Sequence, residues 1–253
     1  MHTDSGAPAR PDVEVAAAAA RAAADALLQL RAEGRLTGRP LGDAGDAAAQ
    51  AAISGLLAAS RPADAVFSEE AVDDPVRLSA DRVWIVDPLD GTREYGEGRP
   101  DWAVHVALWS GGELSAAAVA LPGVGELLVT DPPPALPSPG GGRLRIAVSR
   151  TRPPAVAGTA AAALDAELVP MGSAGFKVTA VVRGEVDAYV HAGGMYQWDS
   201  AAPVAVAQAA GLTALRLDGS PLRYNGPDPS LPDLLVCRPE LAARLLDALR
   251  PGQ

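Results

Sequence analysis

The stretch from Trp84 to Tyr95, WIVDPLDGTREY, sets two carboxylates, Asp87 and Asp90, at the end of an apolar run. Residues 83–86 read as a short buried strand. Pro88 stiffens the turn that follows and Gly91 frees it, so both acids can point into one small volume. Like charges held that close repel, and a cation relieves them. Donors that are all oxygen suit a hard ion such as Mg2+. Strand, Asp, Pro and Gly also make an ordinary turn, so the motif needs company.

Company is present. Asp43 and Asp46 lie in LGDAGD, Glu69 and Glu70 in SEE, and Asp199 in QWDSAA, directly before a helical pattern. Read singly, Asp46 and Asp199 serve equally well as helix N-caps, and the two glutamates as solvated surface charge. Read with DPLDGT, they form a constellation able to hold divalent ions.

The elements that must position these acids follow from periodicity. Residues 13–33 predict a helix stopped by Gly34, and 46–60 a second helix, with a loop over 35–45. A short strand over 65–67 ends at SEE. The runs at 83–86, 102–109, 114–121 and 126–130 predict an antiparallel sheet. Residues 131–142, DPPPALPSPGGG, break the composition and predict a join. Three segments result: a loose tail at 1–12, an α+β half at 13–135 with most of the acids, and an α/β half at 143–253 with Asp199. In the last, strands at 144–148, 168–169, 188–191, 212–217 and 234–237 alternate with helices at 154–164, 173–183, 200–210 and 239–249, which predicts a layered α/β arrangement.

Bulk composition excludes other chemistries. With 253 residues and 48% hydrophobic content, the chain has material for a sizeable core. The net charge of -10 argues against nucleic-acid polymers but permits a small phosphorylated ligand bound through cations. Cys237 is the only cysteine, and the histidines are His2, His105 and His191, so neither an internal disulfide nor a thiolate or histidine zinc site is expected. No apolar run approaches the ~18 residues of a membrane span, and the expected location is the cytoplasm.

SEE, DPLDGT and WDSAA, in this order, resemble the signature set of the inositol monophosphatase superfamily of Mg2+-dependent, lithium-sensitive phosphomonoesterases. GTREYGEGRPDWAVHVALW and GSAGFKVTAVVRGEVDAYVHAGG look most like the actinobacterial CysQ-type 3'(2'),5'-bisphosphate nucleotidases, which serve sulfate assimilation. The resemblance implies an αβαβα layered sandwich like that of inositol monophosphatase and fructose-1,6-bisphosphatase. It implies two or three Mg2+ ions. Glu69, Asp87 and the Leu89 carbonyl would hold one; Asp87, Asp90 and Asp199 would hold the second; Glu70 and Asp46 would serve a third ion or the attacking water. Thr92 would position that water with Asp46 or Glu69, making Asp46, Glu69 and Thr92 the catalytic set. Direct attack by water, with no covalent intermediate, is the expected mechanism.

Substrate choice rests on fewer residues. In the inositol phosphatases a glutamate stands seven positions before the WD aspartate; here Ala192 occupies that place. Gly172, Ser173 and Lys177 match the element with which bisphosphate nucleotidases hold their second phosphate, and Lys177 is the only lysine of the chain. Gly91 and Thr92 would offer amides to the phosphoryl group, and Arg93 either a phosphate contact or a partner for Glu94 or Glu97. Tyr196 and Trp198 could stack on a base, although Trp198 fits better as a buttress, and His191 as a structural residue. The expected reaction is hydrolysis of 3'-phosphoadenosine 5'-phosphate to AMP, with inositol monophosphate or fructose 1,6-bisphosphate as the alternative. A homodimer is the assembly the resemblance implies.

Overall fold

The computed structural model of the protein describes residues 10–250. Most of the expected tail, residues 1–9, and residues 251–253 lie outside the described residues. Helix α1 (Asp12–Ala32) buries Val15, Ala16, Ala19, Ala20, Ala23 and Leu27, a stripe spaced by threes and fours. Helix α2 (Gly38–Ser60) starts eight residues earlier than its sequence pattern indicates, so the loop expected over 35–45 is mostly helix. Pro40 stands in the first turn, where its missing N–H loses no helical bond. Gly42 and Gly45 are packing positions: a Cβ on Gly42 would lie 2.6 Å from Thr92 Cγ2, and one on Gly45 2.8 Å from Tyr95 Cε1.

The first sheet holds β1 (Ala65–Ser68), β2 (Arg82–Asp90), β3 (Ala103–Ser110), β4 (Glu113–Leu121) and β5 (Glu126–Val129), in that spatial order. Short helix α3 (Thr92–Gly96) links β2 to β3. The strands from β2 to β5 pair antiparallel as expected, and β1 adds in parallel to β2. Period-2 alternation divides the strand residues cleanly. Trp84, Val86, Val104, Val106, Leu108, Ala116 and Ala118 face α1 and α2. Val83, Ile85, Ala103, Ala107, Ala117 and Val119 face the opposite way. Both faces are covered, which is why the runs read as continuously apolar.

Beyond residue 142 come β6 (Arg145–Ser149), α4 (Ala155–Leu164), β7 (Glu167–Met171), α5 (Ala174–Val182), β8 (Ala188–Tyr196), α6 (Gln197–Ala209), β9 (Thr213–Leu215), β10 (Ser230–Cys237) and α7 (Ala242–Leu249). The second sheet runs β7-β6-β8-β10-β9, with β6 parallel to β7 and β8, and β10 antiparallel to β8 and β9. One of its faces packs on α5 and α6, the other on α4 and α7. The free face of the first sheet packs on α6 and Phe176 of α5. The order of layers is therefore α1/α2, sheet, α5/α6, sheet, α4/α7, the αβαβα sandwich expected. Four apolar clusters fill the four boundaries between layers.

Helix α6 begins at Gln197, three residues before the start its pattern suggests. Asp199 is accordingly within its first turn and not ahead of it. Among the described residues no helix is long and apolar enough to cross a membrane.

Candidate active site

The acids converge because β1 and β2 end side by side. Parallel pairing sets Ser68 against Val86, so Glu69 and Asp87 emerge as neighbours. The Glu69 amide donates to the Val86 carbonyl at 3.3 Å. Their carboxyl groups lie close enough for each to alter the other's acidity. Asp87 is 1% exposed, and its Oδ1 accepts from the Leu89 amide at 3.0 Å. Pairing of β2 with β3 slips between Asp87 and Asp90, which re-aims the second acid. Gly91 then turns the chain at φ +94, where a side chain would also press on Ser173 and Trp102.

Thr92 opens α3, and its hydroxyl lies 3.3 Å from Asp46 Oδ1 and 3.2 Å from the Leu89 carbonyl. One hydroxyl hydrogen serves one of these acceptors at a time. Asp46 reaches this point from the interior of α2, brought close by Gly42 and Gly45. It is no helix cap.

The second half contributes through two helix starts. Ser173 caps α5 by accepting from the Phe176 amide at 2.9 Å. The amides of Ala174 and Gly175 donate to the two oxygens of Asp90, at 3.1 and 2.6 Å. At α6, Asp199 Oδ2 accepts from the Tyr196 amide at 2.7 Å. Lys177 is buried, which rules out a helix-surface role; its ammonium donates to the Gly172 carbonyl and, at 2.6 Å, to that of Ser173.

A cavity of about 300 Å³ lies over this junction. Gly91, Thr92, Arg93, Gly172, Ser173 and Lys177 all line it, as do Asp90 and Asp199. Asp46, Glu69, Glu70, Asp87 and Leu89 are not part of its lining; Glu70 is exposed and close enough to act on Asp46. Arg150 binds both Glu94 and Glu97, at 2.8 and 2.5 Å, so Arg93 is paired with neither and stays at the exposed rim. Tyr196 stacks on Trp198 at 4.8 Å, and Trp198 abuts Phe67 edge-on at 5.1 Å, a buttress under Asp199. His191 Nε2 is 2.8 Å from the Gly194 carbonyl, a structural bond.

Crowding shows in the acidities. Burial, then the charge of Glu70, raises Asp46 to about 7. Glu69, whose outer edge is exposed, rises to about 7, through partial loss of hydration first and then through the charges of Asp90, Glu70 and Asp46. Asp199 rises to about 8 through burial and Asp90. Asp87 is driven well above the carboxylate range by burial and by Glu69, Asp90 and Asp199. Such a set favours cations or protons. Among the described residues no three side chains are already drawn into a closed metal cage. Asp90 is turned to the α5 amides and Asp199 to its own helix start, as repelling charges would be. The donors available are carboxylates, the Leu89 carbonyl and the Thr92 hydroxyl, a hard-oxygen set that fits Mg2+.

Several cavity residues are not legible in the sequence, Ser149, Thr151 and Arg152 among them. These three lie at and just beyond the C-terminal end of β6, where ligands gather in α/β sheets. The strand itself is legible, so its position was a usable signal.

The model of the inositol monophosphatase family matches residues 9–131 and 144–251. The chain is 56% identical over 233 residues to a 3'-phosphoadenosine 5'-phosphate phosphatase of Mycobacterium tuberculosis (strain CDC 1551 / Oshkosh), covering 88% of this chain and 87% of that one. It is 52% identical over 253 residues to the protein of the same name from Mycobacterium leprae (strain TN), covering 94% and 93%. Among solved structures it resembles CysQ from Bacteroides thetaiotaomicron, with a TM-score of 0.77 and 26% identity over 90% of this chain and 97% of that one.

Proposed function

The chain belongs to the inositol monophosphatase family, and on that premise we propose that it is a Mg2+-dependent 3'(2'),5'-bisphosphate nucleotidase that converts 3'-phosphoadenosine 5'-phosphate to AMP and phosphate. The observation that carries this reading is the mixed lining of one cavity. Asp90 and Asp199 stand beside Lys177, with Arg93 and Arg152 on the rim. A monophosphate needs only the acids and their cations; a second phosphate gives the three bases a partner.

Glu69, Asp87, Asp90, Asp199 and the Leu89 carbonyl would hold two Mg2+ ions, with Glu70 and Asp46 at a third. Bound there, the ions would lower the pKa of the attacking water and neutralise the departing oxygen. The chain's own groups supply the alignment. When Thr92 gives its hydrogen to Asp46 Oδ1 in place of the Leu89 carbonyl, it keeps lone pairs with which to accept from a water, so the pair fixes that water's direction. Asp46, beside the Thr92 hydroxyl, is placed to accept a proton from that water. The start of α6 reaches the cavity through Asp199, and its helix dipole would favour a bound anion there. Lys177 spends two N–H groups on carbonyls and has a third for a phosphate.

Ala192 offers no carboxylate to inositol hydroxyls, which sets inositol monophosphate lower. Fructose 1,6-bisphosphate carries two phosphates and is the second reading, favoured by the same three bases. Sensitivity to Li+, a place in sulfate assimilation, a cytoplasmic location and a homodimer belong to the nucleotidase reading. Phosphate release should be followed with and without Mg2+ on the nucleotide, on inositol 1-phosphate and on fructose 1,6-bisphosphate. The reading requires Mg2+-dependent release, fastest from the nucleotide. Faster release from either sugar phosphate overturns the substrate; no release from any overturns the activity.

A further inference from the structure

His105 lies against two acids of the site, Asp87 and Asp90, without being one of its expected members. It is fully buried and pairs directly across from Asp87 in the β2–β3 ladder. On the same face of β3 its neighbours are Ala103 and Ala107, so the strand is otherwise small there. The imidazole fills the space between the sheet and the first turns of two helices. Its Nδ1 is 3.1 Å from the Trp198 carbonyl in α6 and 3.9 Å from Asp87 Oδ2. A carbonyl only accepts, so Nδ1 carries the hydrogen. Nε2 is 3.3 Å from Asp90 Oδ2 but has no partner of hydrogen-bonding geometry. Against it lies Gly175 of α5, where an added Cβ would be 1.9 Å from Nε2.

One ring therefore touches β2, α5 and α6, the three elements that bring Asp87, Asp90 and Asp199 together. We propose that His105 is a positioning residue: its Nδ1 hydrogen bond to the Trp198 carbonyl fixes the first turn of α6, and with it Asp199, against Asp87 and Asp90. The residue acts through the acids and needs no contact with substrate or ion. Packing against Gly175 shields Nε2, so the working atom is Nδ1. Outer partners of metal ligands change affinity when removed even though they never touch the ion.

The inference rests on the proposed metal site, and Mn2+ binding tests the two separately. The free Mn2+ signal is followed by electron paramagnetic resonance on cation-free protein, for the unaltered chain, His105→Asn, His105→Gln and His105→Leu. Asparagine places an amide N–H where Nδ1–H stands; glutamine places it at the Nε2 position. The expected result is Mn2+ affinity lowered about tenfold or more in His105→Leu and His105→Gln, and held within about threefold in His105→Asn. Should His105→Leu fail to fold, the asparagine and glutamine pair makes the same comparison. Folded His105→Gln that binds as tightly as the unaltered chain, or His105→Asn as weak as His105→Gln, overturns the assignment. Absence of Mn2+ binding by the unaltered chain overturns the metal site itself.

Discussion

Replacing Asp87 with asparagine should separate function from stability. Asp87 is buried among Glu69, Asp90 and Asp199, each of which disfavours its charge. Asparagine is neutral at nearly the same volume and takes up no proton on folding, so cation-free protein should gain stability, about 1 kcal/mol, or roughly 2–4 °C in melting temperature. The same change removes the proposed bridging ligand, and kcat/KM should fall at least about a hundredfold. Melting curves and phosphate release on one preparation check both signs. A variant that is both inactive and less stable would mean that Asp87 serves the fold first. For Arg152→Ala the expectation is a KM for the bisphosphate raised about tenfold with kcat within about threefold, because one charge-assisted contact made equally in ground and transition state is lost. An unchanged KM would remove Arg152 from the site. The acids were legible because few other uses place so many carboxylates at the ends of apolar runs. Arg152 was not: nearly every base of the chain is arginine, and nothing in SRTRPP says which of them faces a cavity.

Helix α2 carries the element-scale lesson. LTGRPLGDAGD contains the residues that usually break helices, so the pattern starts the helix only at Asp46. The structure puts the breakers to other use: Pro40 in the first turn, Gly42 and Gly45 as contact points against Thr92, Tyr95 and Leu89. Whether a glycine marks a loop or a close approach depends on what lies opposite, and the partner here is some fifty positions away in the chain. Gly42→Ala tests the close approach. Its Cβ would meet Thr92 Cγ2 at 2.6 Å and push Thr92 from Asp46, now 3.3 Å away. Overpacking should lower stability by about 1–3 kcal/mol, while alanine's helix propensity returns part of it. The sharper readout is kcat, expected to fall about tenfold with KM little changed, since the affected pair aligns water and does not hold substrate. Loss of stability with kcat intact would show that α3 yields without disturbing the Thr92 hydroxyl.

At the scale of the molecule, the site exists because the central α5/α6 layer is shared by both sheets. All strands of the first sheet precede residue 131 and all strands of the second follow residue 142. Glu69, Asp87 and Asp90 descend from one side, Ser173, Lys177 and Asp199 from the other. Alternation of apolar runs made the elements legible, and the resemblance supplied the order of layers. The sequence could not say that Asp90 would be held by α5 amides, because that contact spans the join.

Uniting so many acids at one boundary has a consequence for the pH dependence of folding. Asp46 and Glu69 are raised to about 7 and Asp199 to about 8, all above the unfolded carboxylate value near 4. The folded chain thus holds more protons than the unfolded chain between those limits. Stability then declines as pH rises through that window, and the contribution of these acids is fully present only at its acidic end. Mg2+ binds the deprotonated acids and stands in for the protons. Its stabilising effect should accordingly grow from about pH 5 to about pH 8, reaching roughly 5–10 °C at saturation if binding adds about 2.7 kcal/mol. Melting temperatures with a chelator and with Mg2+, taken across that range, measure the difference directly. A Mg2+ effect that shrank with rising pH would mean that the ion binds elsewhere than among these carboxylates.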